Sequence, residues 1–220
     1  MRRALPTLSI LLVLAFSAVA APAVSSELEK LGKRMTCFYK APTKEEFENF
    51  QKDIVPFQDF FAKRPDTKLL VAVFIARVSK KYGYSITDTP FAEMARKILD
   101  PKSDLAKFID DDSKISPTKL DVWWTSFFAT ADTKYLEKIF QFVGRDMDND
   151  RNVRNLLVDG AANWSFKSNC RQHEKIMAFA KAKLEKGSLP PSKIKFLKQC
   201  VAQQSENKGD SKPSQTTTTH

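Results

Sequence analysis

Glycine is scarce in this chain of 220 residues, at 6 in all, and that excludes collagen-like and silk-like structures. Histidine is scarcer: there are 2, one of them the terminal His220, too few for the several-histidine ligand sets of common catalytic zinc centres. Strand signals are few, and Asp159-Gly160, the one hairpin-type dipeptide, falls inside a helical pattern. Neither a phosphate-binding glycine loop nor a GxSxG elbow occurs. These absences leave a mostly helical chain in which no catalytic, cofactor-binding or metal-ligating residue can be named. What is there is a 42% hydrophobic complement, enough to bury a core and to exclude a wholly disordered chain. The length suits one domain.

Arg2 and Arg3 precede an apolar stretch from Ala4 to Phe16, and the small residues Ala18, Val19 and Ala20 follow. This is the pattern of a secretory signal peptide, residues 1–20, cleaved after Ala20. The apolar run is shorter than the roughly 20 residues of a spanning helix, and no later run approaches that length, so the expected product is periplasmic or secreted and has no transmembrane segment. No cysteine follows the cleavage position, which disfavours a lipid anchor. Residues 21–42 read as an N-terminal extension with a short helix from Ser25 to Lys33, closed by Gly32. Residues 43–202 read as a single all-α domain. The polar tail, 203–220, lacks the apolar residues to fold.

Within the domain, apolar residues recur at three- and four-residue spacing. Thr43, followed by Glu45 and Glu46, caps a helix bearing Phe47, Phe50, Ile54, Phe57 and Phe61, bent at Pro56. Pro65 restarts a helix that ends at Lys80, Lys81 and Gly83, and a shorter one runs from about Thr89 to Leu99. Ser116-Pro117 opens a helix with Leu120, Trp123, Trp124, Phe127 and Phe128 inward. Tyr135 to Val143 follow as far as Gly144, then Asn152 to Phe166. Ser168 or Asn169 caps a helix bearing Ile176, Phe179 and Leu184, and Gly187 with Pro190-Pro191 divides it from a last helix, Ser192 to about Ala202. Eight or nine amphipathic helices cannot each bury a face alone, so stacked antiparallel helical hairpins are expected, as a bundle or a short repeat-like array. No fixed repeat period recurs.

Three cysteines, Cys37, Cys170 and Cys200, allow one disulfide in an exported chain. Cys170 with Cys200 would staple the two C-terminal helices. On unbroken helices, however, they lie about 24 Å and about 13 Å from the turn between them, so pairs with Cys37 stay open. The formal charge is +10, and it is polarised: nine basic and two acidic residues lie between Lys167 and Cys200, against seven and eleven between Asp100 and Asp150. Lys193, Lys195 and Lys198 are the candidate basic interaction surface. A solvated lysine face is the simpler reading of the same run.

Other constellations are weaker. Asp146, Asp148, Asp150 and Asn152 begin like a calcium loop, but Arg151 and Leu157 stand where its glycine and bidentate glutamate belong. Asp110, Asp111 and Asp112 form a second acid cluster, read as flanking a helix end. Cys170 and His173 lie close enough on one helix for a thiolate and imidazole pair, though no orienting group is evident. Trp123, Trp124, Phe127, Phe128 and Trp164 read as core before groove.

Two segments carry a resemblance. One is Trp123, Trp124, Phe127, Phe128, Ala129, Thr130, Asp132 and Tyr135; the other is Ala161, Ala162, Trp164, Ser165, Ser168, Asn169 and His173. Over about a quarter of the chain they resemble a loosely defined group of uncharacterised all-helical exported bacterial proteins, which implies an exported helical domain and supplies no activity, ligand or catalytic residue to carry over. The expected role, which suits the charge, is non-enzymatic binding of an acidic protein or an anionic envelope component. A secreted virulence or stress factor and a small hydrolase with an acidic pair are the alternatives. No nucleic-acid partner is expected, because no reader motif accompanies the positive charge.

Overall fold

A computed structural model describes residues 22–145 and 153–207. Every regular element in them is helical: eleven α-helices and two single-turn 3-10 helices. In order these are α1 (Pro22–Cys37), a 3-10 turn (Phe38–Lys40), α2 (Lys44–Asp53), a 3-10 turn (Val55–Phe57), α3 (Gln58–Ala62), α4 (Pro65–Tyr82), α5 (Ala92–Leu99), α6 (Asp104–Asp110), α7 (Pro117–Thr130), α8 (Lys134–Phe140), α9 (Val153–Gln172), α10 (Glu174–Glu185) and α11 (Pro191–Asn207). The all-α architecture expected from the periodicity is the one observed. The expected signal peptide and the acidic run from Asp146 to Asn152 lie outside the described residues, as do residues 208–220.

Local chemistry sets the helix boundaries. Thr43, Ser103 and Ser116 each accept a hydrogen bond from the backbone N–H three residues on, which starts α2, α6 and α7. Pro65, Pro117 and Pro191 each occupy the first turn, where a missing N–H does no harm. Pro56 does not merely bend a continuous helix; it sits in a 3-10 turn that separates α2 from α3. Gly83 ends α4 in the left-handed region that glycine tolerates.

Two helices are apolar nearly all round and therefore lie at the centre. In α4, Leu70 to Ala76 and Val78 are all buried, and in α7 so is every residue from Val122 to Thr130. These two make the most extensive helix contact in the molecule. α7 divides its side chains between two core clusters. Val122 and Ala129 join the first, built around α4 from α1 to α6. Leu120, Trp123, Trp124, Phe127 and Phe128 join the second, with α8 to α11. Buried Ser126 and Thr130 return their hydroxyls to the carbonyls of Val122 and Ser126, so α7 carries no unpaired hydroxyl there.

Several other boundaries differ from the sequence expectation. The helix at the N-terminus does not stop at Gly32; α1 runs to Cys37 and buries Leu28, Leu31 and Met35, so it belongs to the domain rather than to an extension before it. α6 was not anticipated, and buried Lys119, 1% exposed, explains how so short a helix is held. Its Nζ donates to the carbonyls of Phe108 and Ile109 at 2.7 and 2.8 Å, closing the C-terminus of α6. α11 runs on to Asn207, past the point where the polar tail was expected to begin.

Candidate functional site

The basic C-terminal segment folds into α9, α10 and α11, and its lysines do not act together. Half-buried Lys193 turns inward. Its Nζ donates to the carbonyls of Phe140 and Gln141 at 2.8 and 3.3 Å and lies 4.7 Å from the Phe140 ring centre, capping α8. Its place in the expected basic surface is therefore corrected: it is a docking residue for α11. Gly144 makes that docking close, since a Cβ there would stand 2.9 Å from the Lys193 Cα, and its φ of 62° also favours glycine.

Lys195 and Lys198 point the other way and are exposed. With Pro191, Ile194, Gln199 and Ala202 they line a surface furrow of about 620 Å³. These positions recur at three- and four-residue spacing, so they form one stripe along α11. The opposite side buries Leu197 and Cys200 in the second core cluster. Among the described residues, neither Lys195 nor Lys198 forms an ion pair. The furrow is thus an apolar floor with two free ammonium groups beside it.

The remaining candidates are consumed by the fold. Asp110 pairs with Arg77 at 2.7 Å, Asp112 pairs with Lys138, and Asp111 accepts from the Ser113 N–H at 2.8 Å. The Ser113 hydrogen bonds hold the Asp111 carboxyl below its usual range. Three separately engaged carboxylates do not make an acid and base pair. Of the aromatic stripe, the four residues in α7 are core, and Trp164 stands out at 40% exposed. The residues on either side of Trp164 serve the fold: Asn163 Oδ1 accepts from the Gly144 N–H at 2.7 Å, and Ser165 Oγ accepts from Trp124 Nε1 at 3.0 Å.

Cys170 and His173 do not face each other. α9 ends at Gln172, and His173 turns away as the residue before α10, where it is 2% exposed. Its Nδ1 lies 3.1 Å from the Tyr39 hydroxyl, and its ring packs 5.0 Å from that of Phe128. This contact ties the turn after α1 to the junction of α9 and α10. Burial pushes the His173 imidazole down to about 4, with Lys40 adding to it, and pushes the Tyr39 hydroxyl up to about 12. The Tyr39 hydroxyl therefore keeps its proton and shares a hydrogen bond with a neutral imidazole, whose tautomer sets which of the two donates. Tyr39 sits in a three-residue turn without a helical period, so no sequence signal marked it.

Asp121 also escaped the sequence reading. Burial, with Asp66 adding repulsion, raises its carboxyl to about 7. The available signal was a carboxylate one turn before Trp124 and Thr125, in a helix apolar on every side. A second hollow, of about 390 Å³, lies where α1 meets α2 and is lined by Glu27, Lys30, Arg34 and Asp53 among others. Arg34 there holds both Glu46 and Asp53 at 2.7 Å, so its charges are already matched. Among the described residues no group of three histidine, cysteine or acidic side chains is placed to hold a metal ion, and no helix is long and apolar enough to cross a membrane. Compared with known proteins, the chain matches no family model, no curated protein and no solved structure.

Proposed function

We propose that this protein is an exported, non-enzymatic binding domain that holds an acidic protein segment along the outer face of α11. The observation that carries the reading is the α11 furrow: an apolar floor of Pro191, Ile194 and Ala202 beside Lys195 and Lys198, two exposed cations without ion-pair partners among the described residues. An amphipathic segment with carboxylates at its edge suits this surface in both respects. Its apolar side chains would leave water in the furrow, and its carboxylates would meet the ammonium groups. The formal charge, +10 for the whole chain and +8 once Arg2 and Arg3 leave with the leader, would speed the encounter at low salt. Export follows from the leader pattern of residues 1–20 and would place the partner outside the cytoplasm.

The test is affinity capture from the exported fraction at low and at moderate salt, followed by titration of the identified partner. Lys195→Glu with Lys198→Glu should lower affinity at least tenfold while the circular dichroism spectrum stays unchanged. Vesicles containing anionic lipid serve as the competing arm. Binding to them instead of to protein would point to an anionic envelope component. Capture indifferent to both salt and charge reversal would refute the surface.

A further inference from the structure

Cys170 and Cys200 lie thirty residues apart in sequence, one on the last turn of α9 and the other in the third turn of α11. They are 1% and 0% exposed, and their thiols are in hydrogen-bonding contact across the helix interface. The helix break at His173 brings them together. With α9 ended there, α10 spans twelve residues, about 18 Å, and α11 returns over a similar length to Cys200. The mismatch expected for one unbroken helix disappears. All three cysteines are thiols in this structure, and the third, Cys37, stands at the end of α1 near Tyr39.

We propose that Cys170 and Cys200 are a redox site: they close into an intramolecular disulfide that clips α11 to α9, with the lifting of α11 as the gate. The contact with Cys200, together with burial, holds the Cys170 thiol far above the ordinary thiol range, and the Cys170 S–H is also placed to donate to the Ile176 carbonyl oxygen, 3.9 Å from its sulfur. The gate follows from burial, because no oxidant reaches sulfurs this enclosed while α11 is docked.

The oxidant is a small disulfide such as oxidised glutathione. One of the two protein thiols gives up its proton, attacks one glutathione sulfur and breaks the S–S bond; the glutathione that leaves takes a proton, and a mixed disulfide remains. The other protein thiol then gives up its proton and attacks the protein sulfur of that mixed disulfide, forming the protein S–S bond and expelling the second glutathione, which is protonated in turn. Two protein thiols are oxidised and one disulfide is reduced to two thiols.

The folded chain, with Cys170→Ser and Cys200→Ser variants, is incubated with oxidised glutathione and followed by mass spectrometry. The expected results are loss of two hydrogens without a retained adduct in the parent, and a glutathione held on the remaining thiol of the pair in Cys170→Ser and in Cys200→Ser. Urea below the global transition should speed closure. Non-reducing peptide mapping of the unsubstituted chain, with Cys170 joined to Cys200, covers the case in which a serine disturbs folding. Linkage through Cys37 or a parent that keeps its adduct would overturn the assignment. None of these readouts involves the α11 furrow, so the clip and the binding surface stand or fall separately.

Discussion

Replacing Asp121 with asparagine should make the protein more stable at pH 8 and change the shape of its stability profile. In the unfolded chain this carboxyl loses its proton near its ordinary value of 3.8, whereas in the fold it holds the proton to about 7. Between those values the native state binds more protons, so stability falls as pH rises, and each unit is about 1.4 kcal/mol. The full loss above pH 7 is on the order of 4 kcal/mol. His173 works in the opposite sense. Its ordinary value is 6.5 and its folded value about 4, so between them the unfolded chain binds the extra proton and stability rises with pH, by on the order of 3 kcal/mol. The two slopes overlap between about pH 4 and pH 6.5, and the parent protein should be nearly flat there. Asp121→Asn removes the falling limb and exposes the rise. Urea unfolding followed by circular dichroism at pH 4.5, 6 and 8 reads this directly, provided the denaturant slope is constant. If the variant is less stable than the parent by the same amount at pH 4.5 and pH 8, the carboxyl is already charged in the fold and the reasoning fails.

Two further substitutions probe how each core is held. Gly144→Ala should destabilise by about 2 to 4 kcal/mol, adding left-handed strain to the approach of a Cβ within 2.9 Å of Lys193; a thermal midpoint unchanged from the parent would contradict this. Lys119→Met keeps most of the buried stem and removes the ammonium that closes α6, leaving the Phe108 and Ile109 carbonyls without that donor. It should cost about 2 to 4 kcal/mol and speed hydrogen exchange in Asp104–Asp110 before anywhere else; uniform exchange across the chain would argue against a local capping role.

The apolar period carried most of the fold. α2, α4, α7 and α8 can be placed from residues such as Phe47, Phe74, Trp123 and Ile139 because each repeats along a helix face, and Thr43, Ser116 and Gly83 mark their ends by local chemistry. Two pairs of contacts could not be read that way. Lys193 and Lys195 look alike in sequence, and only the position of the carbonyls ending α8 decides that one turns inward. Tyr39 meets His173 across 134 positions, a tertiary contact with no local period. The helix break at His173 was hidden for a related reason. Apolar residues continue at compatible spacing on both sides of it, so Cys170 was assigned to the wrong helix and appeared too far from Cys200. Gly32 misled in the other direction, since packing of Leu28, Leu31 and Met35 outweighs the roughly 1 kcal/mol that a glycine costs inside a helix.

Hydrogen exchange of the protein with and without its captured partner reports on the binding face most directly. The expected footprint is slowed exchange over residues 191–202, with α2, α4 and the Arg34 hollow unaffected. Protection confined to the Arg34 hollow or to the face of α9 around Trp164, with α11 exchanging as in the free protein, would contradict the account.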